Sequence, residues 1–162
     1  MQPRRASVPL VTLMTFVSLG LLGATACSTH PEAPERNADM RRTIENNIPG
    51  GLPISAAVVA GGLCFTGAQF GIDADNRPVG DVERQTALAL DHLEEVLKHA
   101  GTRLDLVVRI TVYLRSLDDF DAMNRAYRGR FPKSPPARVT IGAKDLLFGA
   151  AMELDAVAAM PD

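Results

Sequence analysis

Hydrophobic and polar positions change their period several times along this chain, and each change marks an element. Across 81–100, Val82, Thr86, Leu90, Leu93, Leu97 and Ala100 recur every three or four residues, the period of a helix with one buried face. Asp81 offers an N-cap and Gly101 a stop. Upstream, 55–60 and 63–69 are β-prone runs separated by Gly61-Gly62, which predicts a hairpin turning where φ is positive. A polar loop with Asp73, Asp75, Asn76 and Pro78 follows. Residues 106–114 are β-branched and partly alternating, which predicts a strand. Ser116 is placed to cap a second helix running to about Phe131, with Phe120, Met123, Tyr127 and Phe131 inward and Pro132 ending it. Stretches 137–142 and 150–158 read as two closing strands. The order ββαβαββ predicts an α+β domain, an α/β sandwich with both helices on one face of a mixed sheet.

The first 27 residues follow another logic. Arg4 and Arg5 precede an apolar run over 8–22, then the small residues Gly23-Ala24-Thr25-Ala26, the order of a secretory signal. Cys27, directly after them, resembles the lipidated cysteine of a bacterial lipobox, although Ala24 stands where leucine is usual. Ala24-Thr25-Ala26 is equally a site for ordinary signal peptidase. Residues 8–26 would also span roughly 28 Å as a helix, so simple secretion and an uncleaved anchor are the alternatives. The expectation is an exported, periplasmic protein anchored to the outer membrane through lipid at Cys27, since Ser28 is not the aspartate associated with inner-membrane retention. Residues 28–48 are polar, with Pro31 and Pro34, and read as a flexible tether. The folded domain is expected over 49–160.

A chain of 162 residues with 46% hydrophobic and 22% charged residues suits one domain with a real core. Tryptophan is absent and aromatic residues are few, which argues against a base-stacking platform. The formal net charge is −2; removal of Arg4 and Arg5 with the signal leaves 15 basic against 19 acidic residues, or −4. That balance argues against a nucleic-acid partner. Cys27 and Cys64 lie in dissimilar contexts and make no disulfide framework. Cys64 reads as a small core residue.

Several common catalytic devices are missing: there is no G-x-S-x-G, Walker loop, C-x-x-C or dinucleotide fingerprint. His92, Glu95 and His99 could share a helical face, but that face lies beside the apolar stripe and reads as solvated, so no metal is expected. More informative is Ser134-Pro135-Pro136-Ala137-Arg138-Val139-Thr140. An arginine entering a strand after a stiff Pro-Pro turn suits bidentate capture of a carboxylate. Fifteen residues later, Glu153 stands between Met152 and Leu154, where a perturbed pKa would suit a general acid/base. The same pattern equally allows an Arg138–Glu153 structural ion pair or two unrelated surface charges.

From about Leu52 to Ala158 the chain resembles the Rid family, also called YjgF or the reactive-intermediate deaminases. The matching pieces are Leu52-Pro53-Ile54-Ser55, Phe65-Thr66-Gly67-Ala68-Gln69, the helix 85–101 and Thr111-Val112-Tyr113-Leu114. Asp119-Phe120, Met123-Asn124-x-x-Tyr127, Pro135-Pro136-Ala137-Arg138 and Met152-Glu153-Leu154 complete the set. The resemblance implies a chorismate-mutase-like fold and a homotrimer with active sites in the clefts between subunits. It also implies hydrolysis of 2-imino acids, such as 2-iminopropanoate and 2-iminobutanoate, to 2-keto acids and ammonia, without metal or organic cofactor. Arg138 matches the family arginine that binds the substrate carboxylate, and Glu153 the glutamate that positions water. Ile54, Gly67, Asn124 and Thr140 fall at substrate-binding positions. Ile54 stands where many members have an aromatic residue, Thr140 where cysteine is frequent, and Gly67-Ala68-Gln69 replaces Ser-Gly-Gln, which makes the pocket more aliphatic.

The chemistry suits these residue types, because an imine carbon is already electrophilic and needs a clamp, a placed water and proton management rather than a nucleophilic side chain. The alternative is a non-catalytic periplasmic module that holds a small carboxylate at Arg138, since export separates the domain from cytoplasmic sources of imine. The ribonuclease role attributed to some relatives fits poorly with the acidic balance and the expected compartment.

Overall fold

The computed structural model describes residues 41–45 and 52–162. The expected export signal, Cys27 and most of the tether lie outside the described residues. Among those residues no helix is long and apolar enough to cross a membrane.

Seven strands form one mixed sheet: β1 (Arg42–Ile44), β2 (Ala57–Ala60), β3 (Leu63–Thr66), β4 (Gln69–Phe70), β5 (Val107–Leu114), β6 (Ala137–Gly142) and β7 (Met152–Ala159). Their order is β1-β2-β3-β7-β5-β6, with β4 also beside β7. Only β5 and β6 are parallel, because the helix α2 (Phe120–Arg130) carries the chain back between them. The hairpin, both helices on one face and the two closing strands follow the expected order.

Three details depart from the sequence reading. Residues 42–44, expected in the tether, form an edge strand on β2, and Ile44 packs against the core. The Arg42 Nη2 donates to the Ala100 carbonyl at 2.5 Å, placing a cation where the dipole of α1 (Val82–Ala100) ends. The run 63–69 breaks at Gly67-Ala68 into β3 and β4, and the Thr66 hydroxyl accepts the Ala156 N–H left over by the break, at 2.9 Å. Ser116 caps a short 3-10 turn, Leu117–Asp119, before α2 begins.

Helix α1 forms as its pattern requires. Asp81 accepts from the Arg84 N–H, Gly101 closes the helix at φ 85°, and all six residues of the stripe are buried. Leu90, Leu93 and Leu97 are fully buried, each contributing about 1.5–3 kcal/mol. They lie on Ile110, Val112 and Leu114 of β5 and Met152, Leu154, Ala156 and Ala158 of β7 within one core. Arg130 bridges Asp91 and Glu94, and Arg125 pairs with Glu83 at 2.7 Å, tying α2 to α1.

Gly71 lets the start of α1 sit directly on the chain after β4. A Cβ at Gly71 would lie 2.2 Å from the Gln85 Cα. The buried Gln85 amide is held at both ends, donating to the Gly80 carbonyl and accepting from the Ala151 N–H, each at 2.9 Å. Gly71→Ala is therefore expected to cost about 1–3 kcal/mol in urea denaturation. Gly129→Ala, whose Cβ meets open space on α2, should leave stability unchanged or raise it by about 0.5–1 kcal/mol.

Candidate functional site

Cross-strand partners share a face of a sheet, and that rule decides where the two charged residues go. Arg138 pairs with Ile110, and Ile110 with Ala156; both partners are buried beneath the helices. Arg138 therefore lies on the helix-covered face. Glu153 pairs with Tyr113 on β5 and Phe70 on β4, and alternates with the buried Met152 and Leu154. It points to the opposite face. With β5 between them and the sheet interposed, an Arg138–Glu153 ion pair within one chain is excluded.

The Arg138 side is built by α2. The guanidinium carbon stands 4.6 Å above the Tyr127 ring and 5.6 Å from that of Phe120. Nη1 donates to the Met123 sulfur at 3.7 Å. Such cation–π contacts contribute about 0.5–2 kcal/mol and fix the plane of the guanidinium while leaving its outer N–H groups available. None of the ion pairs among the described residues involves Arg138. Thr140, opposite Val112, shares this face. Asn124 falls between Phe120 and Tyr127 on their stripe of α2, by the i, i+4, i+7 spacing. The Tyr127 hydroxyl is buried without a partner among the described residues. Burial pushes its pKa up to about 12, against the opposing pull of the Arg138 charge.

The Glu153 side is a cavity of about 340 Å³, lined by Ile54, Ala68, Phe70, Leu146, Phe148 and Glu153 among others. Gly67 stands at its edge in sequence, donating to the Ala56 carbonyl at 2.8 Å. A Cβ there would approach the Ser55 carbonyl to 2.9 Å, so glycine lets the two backbones close. Desolvation raises the Glu153 pKa above the ordinary glutamate value, and the neighbouring Asp155 charge adds to the rise.

The structure thus sorts the expected residues into two groups. Arg138, Thr140 and Asn124 share one face; Glu153, Ile54 and Gly67 share another. Sequence reasoning did not single out Phe148, whose φ of 61° is in the left-handed region. That conformation costs a bulky residue on the order of 1–2 kcal/mol, and only the following Gly149 hints at a turn there. The residues of the metal reading, His92, Glu95 and His99, line one pocket, where His92 Nδ1 meets the Phe70 carbonyl and His99 Nδ1 the Glu95 carbonyl, both at 2.9 Å. Among the described residues no group of three His, Cys, Asp or Glu side chains is spaced to hold a metal ion. Cys64 is buried, as expected of a core residue, and burial raises its thiol pKa.

Fold and site together define a small α+β sandwich whose candidate site residues are divided between the two faces of its sheet. The family model described as Endoribonuclease L-PSP matches residues 46–160, and the chain belongs to this family. The mitochondrial protein mmf2 of Schizosaccharomyces pombe is 36% identical over 112 residues, which are 67% of this chain and 89% of that relative. A member of the Rid protein family from Yersinia pestis, YyfA, superimposes with a TM-score of 0.68 at 29% identity, covering 75% of this chain and all of that one. TdcF of E. coli, solved with bound serine, superimposes with a TM-score of 0.67 at 25% identity, covering 74% of this chain and 99% of that one.

The raised Glu153 pKa has a consequence for stability. Below the ordinary glutamate pKa of about 4.3, the residue is protonated in both folded and unfolded chains and costs nothing. As pH rises from there to the raised folded-state value, the unfolded chain ionises more readily than the folded one, and the folded protein loses stability. Glu153→Gln should therefore be more stable than the parent in urea denaturation at pH 7, and the gap should close near pH 4.

Proposed function

We propose that this protein hydrolyses 2-imino acids to 2-keto acids and ammonia at sites formed between copies of the chain, in a homotrimer. One observation carries this reading: an arginine with no ion-pair partner among the described residues and a cavity carboxylate lie on opposite faces of one sheet, so a ligand can touch both only if a second copy supplies one of them. The face of the sheet away from the helices supports self-association, because Phe65, Val139 and Ile141 are exposed on it. Serine bound to the relative TdcF offers the same carboxylate and α-nitrogen that an imino acid would present.

Arg138 of one copy holds the substrate carboxylate through its outer N–H groups, with Asn124 and Thr140 beside it. Glu153 of the next copy, with Ile54 and Gly67, faces the imine carbon. The Glu153 carboxylate accepts a proton from water as the water oxygen bonds to that carbon. It passes the proton to the nitrogen as the C=N π pair moves there, giving a carbinolamine. A second transfer takes the hydroxyl proton to nitrogen; the C–N bond breaks, ammonia leaves and the carbonyl forms. Water and imine are the only reactants, and no side chain becomes covalently attached. A base with a raised pKa is well matched to these transfers near neutral pH. The acidic balance of the chain favours this small-molecule chemistry over a polyanion substrate.

A complementation experiment tests the proposal. Arg138→Ala and Glu153→Gln should each abolish the acceleration of keto-acid release from imines made by an amino-acid oxidase, while the oligomer persists in sedimentation. Co-expressed in equal amounts, the two inactive variants should regain roughly a quarter of the sites by random assembly. Full activity of Arg138→Ala alone would overturn the assignment, and the absence of acceleration by the parent for every imine would favour a carboxylate-binding module.

We also propose export and lipidation at Cys27, supported by the order Arg4-Arg5, apolar run, small residues, cysteine. Cells fed labelled palmitate should incorporate it into the parent chain and not into Cys27→Ser; an unlabelled parent would refute the anchor.

A further inference from the structure

The cavity beside Glu153 contains more apolar wall than imine chemistry by itself requires. On the imine-hydrolysis reading, the carboxylate of the substrate is held at Arg138 and its reacting carbon faces Glu153. The substrate side chain is then left to the remaining wall: Ile54, Ala68, Phe70, Leu146 and Phe148. The exposed Asp145 is the other charged residue in the lining. On the single chain this open cavity measures about 340 Å³, more than a methyl or ethyl group fills and at the small end of the range of organic-ligand pockets.

Phe148 is the unusual element of that wall. Its backbone is held at φ 61°, ψ 9° in the turn Leu147–Gly149, a conformation a bulky residue keeps only when its surroundings enforce it. The enforcing contacts are visible. Its ring meets the Phe70 ring edge-on at a centroid distance of 5.4 Å, within a small cluster with Ile72, Ala150 and Leu146. Arg115 Nη1 donates to the Gly149 carbonyl at 3.0 Å, and the Ala150 N–H donates to the Leu147 carbonyl at 3.1 Å. The turn is thus clamped on both sides, and the clamp holds an aromatic ring against the cavity rather than releasing it to solvent.

We propose that this cavity receives the substrate side chain, and that Phe148 makes the protein select 2-imino acids with bulky apolar side chains, branched aliphatic or aromatic, over those with a methyl or ethyl group. This rests on the imine-hydrolysis reading and adds the substrate class to it. A preformed apolar wall rewards each additional buried methylene and leaves a small substrate in partly unfilled space.

The test uses the full chain with an amino-acid oxidase supplied with leucine, phenylalanine or alanine, and measures keto-acid release above the spontaneous rate. The parent should show kcat/KM at least about tenfold higher for the leucine- and phenylalanine-derived imines than for 2-iminopropanoate. Phe148→Ala should reduce that ratio about tenfold, and Phe148→Leu should fall between. A parent that accelerates 2-iminopropanoate equally well or better overturns the proposed selectivity while imine hydrolysis stands. An equal loss for large and small imines in Phe148→Ala would assign the ring to folding and likewise overturn it. No acceleration of any imine removes the imine-hydrolysis reading and the selectivity with it.

Discussion

A sheet has two faces, and in this protein the helices cover only one of them. Everything about the site depends on that constraint. Strand β7 alternates strictly, so Met152, Leu154, Ala156 and Ala158 bury into the helical layer while Glu153, Asp155 and Val157 must emerge on the other side. A one-residue slip would exchange the two sets and place a glutamate in the core. The same pairing that anchors β7 between β5 and β3 therefore fixes Glu153 opposite Arg138. The cost of exposing apolar side chains to water, summed over the leucines of α1 and the inner residues of β5 and β7, holds a carboxylate away from the cation that its sequence neighbourhood would have suggested.

Much of the fold was legible because its strongest elements announce themselves locally. Helix α1 carries an N-cap, an unbroken stripe and a glycine stop, and each of these matches the structure. Strand β6 follows Pro135-Pro136 as expected, and the hairpin turns at Gly61-Gly62 with positive φ at both. What was missed depends on partners distant in sequence. Residues 42–44 look like linker because an edge strand of three residues has almost no pattern of its own; β2 supplies its order. The break at Gly67-Ala68 is invisible locally, since it follows from the Ser55 carbonyl crossing close to Gly67 and from Thr66 replacing a ladder bond.

The site divides in the same way. That Arg138 and Glu153 are chemically unusual could be read from a Pro-Pro lead-in and from an acid flanked by apolar residues. Their separation could not, because it is a statement about register across three strands. Tyr127 was legible as an inward residue of α2, but its use as the plate beneath the Arg138 guanidinium requires β6 to run parallel beside β5. Phe148 gave no signal beyond the glycine that follows it. Its left-handed backbone is imposed by Phe70 and Arg115, both remote in sequence.

On the proposed function, division of the site also couples assembly to chemistry. A single chain can bury its helices against its sheet without ever bringing Arg138 and Glu153 within reach of one small molecule, so on this reading folding and activity are separable events. On the proposed trimer, the arginine half and the glutamate half meet only at a subunit boundary, and the concentration of competent sites follows the association equilibrium. The fold keeps the desolvated Glu153 carboxylate and the half-buried Arg138 guanidinium apart, so neither can quench the other within a chain. An intramolecular Arg138–Glu153 bridge would have lowered the glutamate pKa and occupied the clamp. Placing the two groups on opposite faces preserves a carboxylate of raised pKa and an arginine with no ion-pair partner among the described residues, the two properties that the proposed imine hydrolysis would use.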